Sequence, residues 1–310
     1  MANMHLYSFA LTICSCFVGL SAFSKAVDDT ALRLYFRNNT YIQVNAANAT
    51  LLVPHLNLTE KTLLHCHGYE QSTDSETVKK LINDYLLGFT YNIIAIDYRN
   101  ISTAFYPTAV LLSNSVAEVV ANSIIDMRNA GVREEQFLLT GFSLGGQIVG
   151  AIGRNLNFTL PEIIAIEPAG PLYGFPEMSI SASSASCVKC IHTDMYLYGT
   201  SYACGHIDFY PNGGTREQPG CKLFSLCDIT NSCSHSRGDT YMGISVLNPK
   251  GFLSVKCNSW EDFKDGRCDR SVIIPMGKAA PCNVTGKFYL QTGSSYPYAL
   301  GLKGTRYQSE

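Results

Sequence analysis

The sequence predicts an α/β domain in which a mostly parallel central sheet carries helices on both faces. Three observations lead to that expectation. Strand-like and helix-like segments alternate from residue 62 to residue 167. Several of the strand-like runs are almost wholly apolar, as strands covered on both faces are. No internal repeat, low-complexity linker or second composition block divides the 310 residues, so one large core is the economical organisation.

Taken in order, "LRLYFR" (32–37) and "YIQV" (41–44) read as an opening antiparallel pair. "TLLHCH" (62–67) is a strand running into Gly68, and the polar stretch around 75–87 is compatible with a helix. "YNIIAID" (91–97) is the next strand and ends on Asp97. Between 108 and 129, Val110, Leu111, Ala117, Val120, Ala121, Ile124 and Ile125 recur at helical spacing. "FLLTGFS" (137–143), "LGGQIVGAIGRNL" (144–156) and "EIIAIE" (162–167) continue as strand, helix and strand. Beyond residue 180 the texture turns to Cys, Gly and Ser. That predicts loops and short strands pinned by disulfides, with one more helix near 236–247.

Residues 1–26 carry an apolar stretch from about Leu6 to Phe23, then small residues at Ser24 and Ala26. This pattern predicts a secretory signal peptide cut after Ala26, with 27–310 as a single domain. No later stretch has eighteen uninterrupted apolar residues, so no membrane span is expected in the mature chain. Net charge is -2 and charged residues make up 15%, which excludes the polybasic surface that nucleic acid would need. Setting aside Cys14 and Cys16 leaves ten cysteines, an even number that in an exported chain points to disulfides rather than metal ligands. Six Asn-x-Ser/Thr sequons, at Asn38, Asn48, Asn57, Asn100, Asn157 and Asn283, agree with passage through the secretory pathway. The expected location is extracellular.

In a parallel sheet, ligands bind beyond the carboxyl ends of the strands. The "HG" at 67–68, Ser143 and Glu167 all lie at such ends. Ser143 is the centre of G-x-S-x-G, Gly141 to Gly145, between a strand and a helix-compatible stretch. That context lets a tight turn lift a hydroxyl into an exposed, strained position. A serine hydroxyl is a poor nucleophile without a base oriented by a third group. In the order Ser, acid, His, Glu167 ends the next strand and His235, in "CSHSRG", follows it. His192 in "CIHTD" and His206 in "GHIDFYPNGG" compete for the base role but read better as structural hydrogen-bonders. The oxyanion needs two N–H donors: Leu144, after the nucleophile, and Tyr69, after Gly68, are in the right places.

These stretches resemble the animal pancreatic-lipase family of the α/β-hydrolase superfamily. "RLYFRNN", "HCHGY", "AIDYR", "GFSLGGQIVG", "AIEPAGP", "CIHTD", "GHIDFYPNGG", "QPGC", "CSHSR", "CNSWEDFKDGRC" and "MGKAA" run in family order from about 32 to 303. The resemblance implies Ser143 as nucleophile, Glu167 as acid, His235 as base, and Tyr69 and Leu144 as oxyanion donors. The family usually has Asp where this chain has Glu167, so Asp194, ending the following strand, is the alternative acid. The resemblance also implies a lid between Cys221 and Cys233, here only "KLFSLCDITNS", with Leu223, Phe224 and Leu226 as its apolar residues. The 194–206 segment is compact as well. Short forms of both loops resemble the phospholipase A1 members, and long forms the triacylglycerol lipases. The family's C-terminal β-sandwich domain is not expected, because the chain stops soon after "YPYALGLKGTRYQSE". Implied disulfides are Cys190–Cys204, Cys221–Cys233 and Cys257–Cys268, leaving Cys66, Cys187, Cys227 and Cys282 with three connectivities. The reading that follows is a secreted serine esterase acting on glycerolipids at a lipid surface, without cofactor or metal. A non-catalytic lipid-binding or storage protein on the same scaffold is the rival from another class.

Overall fold

A computed structural model of the chain describes residues 23–175, 177–221 and 232–309. The strands are β1 (Ala31–Tyr35), β2 (Tyr41–Asn45), β3 (Thr62–Cys66), β4 (Asn92–Asp97), β5 (Phe137–Phe142), β6 (Glu162–Ile166), β7 (Val188–Ile191), β8 (Ile207–Pro211), β9 (Leu253–Lys256), β10 (Asp269–Pro275) and β11 (Gly286–Leu290). They form one sheet in the order β10-β9-β11-β8-β7-β6-β5-β3-β4-β1-β2. The run from β4 through β3, β5, β6, β7 and β8 to β11 is parallel, and antiparallel pairs close both edges.

Helices α1 (Glu76–Gly88), α2 (Tyr106–Asn129), α3 (Leu144–Asn155) and α4 (Cys233–Leu247) cover the sheet, and a short α5 (Trp260–Lys264) follows β9. The period-2 alternation of the strands divides the core between the two faces. Leu64, Ile94, Leu139 and Ile163 join α2, α3 and the 3₁₀ segment Ala46–His55 on one side. Their neighbours Leu63, Ile93, Leu138 and Ile164 join α1 and α4 on the other. The architecture is the mostly parallel sheet with two helical layers that the sequence predicts.

Helix α2 is long and apolar enough to cross a membrane, yet half of its most apolar window is buried within the fold. Val116, Ala117, Val120, Ala121 and Ile124 pack into the core, which accounts for the apolarity. The 3₁₀ segment 46–55 was not anticipated: Pro54 and the mixed "AANATLLVPH" give no clear helical period.

The three implied disulfides are present, Cys190–Cys204, Cys221–Cys233 and Cys257–Cys268. A fourth, Cys187–Cys282, spans 95 positions and ties the start of β7 to the approach to β11. Cys66 breaks the expectation that all remaining cysteines pair: it ends β3 inside the sheet, fully buried, and is free. Cys227 and the lid residues Leu223, Phe224 and Leu226 lie outside the described residues, as does the leader up to residue 22.

Candidate active site

The site sits beyond the carboxyl ends of β3, β5, β6 and β7. Between β5 and α3, Ser143 takes φ 53° and ψ -119°, a conformation an L-residue holds only under constraint. The constraint is visible. Its N–H donates to Ile166 O (3.0 Å), while its carbonyl accepts from Gly146 (2.9 Å) and Ala169 (3.0 Å). The flanking glycines allow the close approach: a Cβ on Gly141 would lie 2.2 Å from Gly145 O, and one on Gly145 would lie 2.2 Å from Cys66 O. Leu144 opens α3, so its N–H belongs to the turn that has no intrahelical acceptor.

His235 lies in the first turn of α4, its ring between Phe142 (centroids 4.9 Å) and Tyr198 (5.3 Å). Its Nε2 is 2.8 Å from Ser143 Oγ. On its other side Nδ1 is 3.6 Å from Glu167 Oε1, a close charge pairing but too long for a hydrogen bond. Neither atom has another hydrogen-bond partner among the described residues. Glu167 follows β6 at φ 47° and is fully buried. Thr193 donates to its Oε2 from both N–H and Oγ1. Its extra methylene is accommodated by Gly199, where a Cβ would sit 1.8 Å from Oε1.

Asp194 is also fully buried and near the imidazole, but its oxygens are engaged elsewhere. Arg216 grips it with Nε–Oδ1 at 2.7 Å and Nη2–Oδ2 at 2.6 Å, a bidentate pair. Burial raises the Asp194 carboxyl above its ordinary range, and Arg216 opposes that rise. Of the two acids, the structure therefore brings Glu167, not Asp194, to His235. The competing histidines are engaged elsewhere in the fold. His192 Nε2 meets Asp208 Oδ1 at 2.8 Å, and His206 Nδ1 accepts the Val188 N–H at 3.0 Å. Asp97 is held by Thr73 Oγ1 (2.6 Å) and Arg99 Nε (3.0 Å), away from the nucleophile. Cys190, His192, Cys204 and Asp208 gather their ligand-type atoms within 4.8 Å, but both sulfurs are tied up in a disulfide.

Ser143 and His235 open into a cleft of about 500 Å³ walled by Tyr69, Tyr106, Phe142, Pro171 and Tyr198. Tyr69 is anchored through Oη to Ala104 O (2.9 Å) and packs edge-on against Tyr106 (5.0 Å). The turn carrying its backbone is held by Gly68 N–H to Gln71 Oε1 (2.7 Å) and Glu70 N–H to Ser102 O (2.9 Å). Sequence reasoning missed Gln71, Ser102, Gly199 and Arg216. Each acts through residues distant in the chain or through backbone contacts, and none belongs to a recognisable local pattern.

A family model described as Lipase matches residues 20–298. The chain belongs to the lipase family. Among its lipase relatives, lipase member H-A of Xenopus laevis is 32% identical over 284 residues, covering 89% of this chain and 60% of its own. Pancreatic triacylglycerol lipase of Oryctolagus cuniculus is 28% identical over 309 residues, covering 86% of this chain and 65% of its own. The chain thus spans less than two thirds of the length of these lipases. Among solved structures, a phospholipase/carboxylesterase from Dyadobacter fermentans DSM 18053 aligns with 48% of this chain and 67% of its own, at 16% identity and a TM-score of 0.31. The parallel sheet, the strand-turn-helix at Ser143 and the helical layers make this an α/β-hydrolase fold.

Proposed function

We propose that this chain is an exported serine esterase that hydrolyses acyl esters of glycerolipids, with phospholipase A1-type release of the sn-1 acyl group. The observation supporting it is the contact of His235 Nε2 with Ser143 Oγ at 2.8 Å, with Glu167 behind Nδ1 at 3.6 Å. In this reading Ser143 Oγ attacks the ester carbonyl while His235 takes its proton. Glu167 fixes the imidazole and stabilises its charge, and the N–H groups of Tyr69 and Leu144 receive the oxyanion. His235 then protonates the departing alcohol, and water, activated by the same imidazole, releases the fatty acid. Nothing in this sequence of steps calls for a cofactor.

Phospholipid is the preferred substrate in this reading because the Cys221–Cys233 loop spans only 12 positions, which suits a mouth that must admit a polar head group. Triacylglycerol hydrolysis is the second reading, supported by the rabbit relative's name. Export is supported by the four disulfides and by the exposure of all six sequon asparagines.

Two measurements test the proposal. Faster hydrolysis of phosphatidylcholine than of emulsified triolein is expected, and a strong triolein preference transfers the assignment to triacylglycerol lipase. A fluorophosphonate should label the folded chain and fail to label Ser143→Ala. Absence of Ser143-dependent labelling would leave a lipid-binding protein on a hydrolase scaffold.

A further inference from the structure

We propose that Asn38 is an N-glycosylation site whose first sugar stacks on Phe36 and braces the edge hairpin of the sheet. The proposal rests on the export part of the reading above and on no part of its catalytic chemistry.

The hairpin joins β1 to β2, the last strand on its side of the sheet. Tyr35 pairs with Tyr41, and five residues, Phe36-Arg37-Asn38-Asn39-Thr40, make the connection. Phe36 N–H donates to Thr40 O (2.9 Å), and Asn39 N–H donates to Phe36 O (3.1 Å). Asn39 has φ 63°. This is a tight turn followed by one left-handed residue, a standard three-residue hairpin loop. Asparagine tolerates that backbone region better than most side chains.

The geometry gathers three side chains on one face. Phe36 and Thr40 are opposed across the hairpin, so their side chains leave it on the same side. Asn38 joins them, because its Oδ1 accepts from Thr40 Oγ1 at 2.6 Å and from Thr40 N–H at 3.2 Å. That leaves Nδ2, the atom that carries an N-glycan, without a hydrogen bond among the described residues. Asn38, Asn39 and Thr40 are exposed, while Phe36 is half-buried and packs against the core.

Modification forms a bond from Asn38 Nδ2 to C1 of an N-acetylglucosamine. It breaks that sugar's bond to the pyrophosphate of a lipid-linked oligosaccharide donor, and the amide proton is lost to base. The first sugar then lies beside Phe36, where the apolar C–H face of the pyranose can cover the ring and remove it from water. The same sugar stands at the sheet's edge, where bulk blocks strand-to-strand association.

No other sequon has this arrangement. Asn100 Nδ2 donates to Asp29 Oδ2 (3.2 Å), and Tyr98, two residues earlier, is buried. Asn157 Oδ1 accepts from Arg128 (3.3 Å), and Asn155 stands two residues before it. Asn57 shares the asparagine–threonine geometry, with Thr59 Oγ1 donating to its Oδ1 at 2.7 Å, but has no Phe, Tyr or Trp two residues earlier. Asn57 is therefore the internal control. The Asn38 hairpin is at the amino end of β4, whereas Ser143 is past the carboxyl end of β5, so ester hydrolysis should be indifferent to the sugar.

The test uses the full chain secreted from a eukaryotic cell. Peptide mapping after enzymatic deglycosylation in heavy-oxygen water reads which sequons were filled, and Asn38 is expected among them. Asn38→Gln is expected to lower the melting temperature by about 2 °C or more, and Asn57→Gln by less than half as much. Trimming the glycans to a single N-acetylglucosamine should preserve the melting temperature, because the contact belongs to the first sugar. In a Phe36→Leu background, which keeps an apolar side chain, Asn38→Gln should cost less than half of its effect in the parent. An empty Asn38 in a secreted chain whose other sequons are filled overturns the proposal, as does an equal cost with and without Phe36. Six empty sequons in a chain retained inside the cell overturn the export reading together with it.

Discussion

Gly199→Ala is the sharpest perturbation of the proposed catalytic machinery, although residue 199 takes no part in the chemistry. A Cβ there would lie 1.8 Å from Glu167 Oε1 and 2.7 Å from its Cδ. Moving Oε1 out to 3.0 Å, below which real Cβ contacts essentially never fall, needs a displacement of about 1.2 Å. The carboxylate cannot yield freely, because Thr193 holds Oε2 through its N–H and hydroxyl. A misplacement of roughly 1 Å in a catalytic group can cost on the order of 10²-fold in rate, about 2.7 kcal/mol of barrier. We therefore expect Gly199→Ala to lower kcat on a soluble acyl ester about 100-fold. Circular dichroism and Ser143 accessibility should remain those of the parent. The double variant Glu167→Asp/Gly199→Ala should recover much of the loss, since aspartate withdraws the carboxylate by one methylene. A Gly199→Ala enzyme within threefold of the parent, as measured by initial rates, would refute the claim that this glycine makes room for glutamate, and near-parental rates have no other explanation in the site.

Three further expectations follow from the same contacts. Glu167→Gln should reduce turnover by roughly 10³-fold or more, and Asp194→Asn by far less; the reverse order in steady-state rates reassigns the acid. Burial raises the Asp239 carboxyl from 3.8 to about 8, so between those values the folded state holds a proton that the unfolded chain has lost. Stability contributed by this group is thus complete below the unfolded value and falls as pH rises from about 4 to about 8. Asp239→Asn should gain melting temperature on the parent at about pH 8 relative to about pH 5, and an unchanged difference between the two pH values contradicts the assignment. Replacing both Cys187 and Cys282 with Ser should cost about 2–4 kcal/mol of unfolding free energy, read from denaturant titration under non-reducing conditions, and a cost below about 0.5 kcal/mol speaks against the bridge's role.

What could be read from the chain beforehand was what local pattern encodes. The apolar runs gave β3, β4, β5 and β6 within about a residue because a strand covered on both faces must be apolar throughout. That Ser143, Glu167 and His235 would meet was legible because each residue stands at a strand end or a helix start, where the sheet delivers its side chains to one edge. The choice between Glu167 and Asp194 was harder, since both end adjacent parallel strands. Arg216 and Gly199 separate their surroundings, one by occupying Asp194 and the other by leaving space for Glu167. Neither residue advertises that part in its own neighbourhood. Cys187–Cys282 was undecidable for a related reason: pairing across 95 positions depends on where β7 and β11 finish up, not on spacing. The segment 46–55 escaped because a 3₁₀ path interrupted by Asn48 and containing Pro54 has no 3.6-residue period to detect.

The free thiol of Cys66 bears on how such a chain can reach its native state. Among the described residues four disulfides form while the Cys66 sulfhydryl is excluded from all of them. Exchange proceeds through the thiolate, and burial raises the Cys66 thiol well above its ordinary value, so in the folded sheet it is inert. Before the sheet closes it has no such protection. Cys66 ends β3, which lies between β4 and β5, whereas every paired cysteine of the described residues comes at or after position 187. During synthesis the β3–β4–β5 core can therefore assemble and sequester its sulfur before any of those paired cysteines has emerged. The order of the chain itself acts as the safeguard against scrambling, and refolding a full-length reduced chain in the test tube forfeits it.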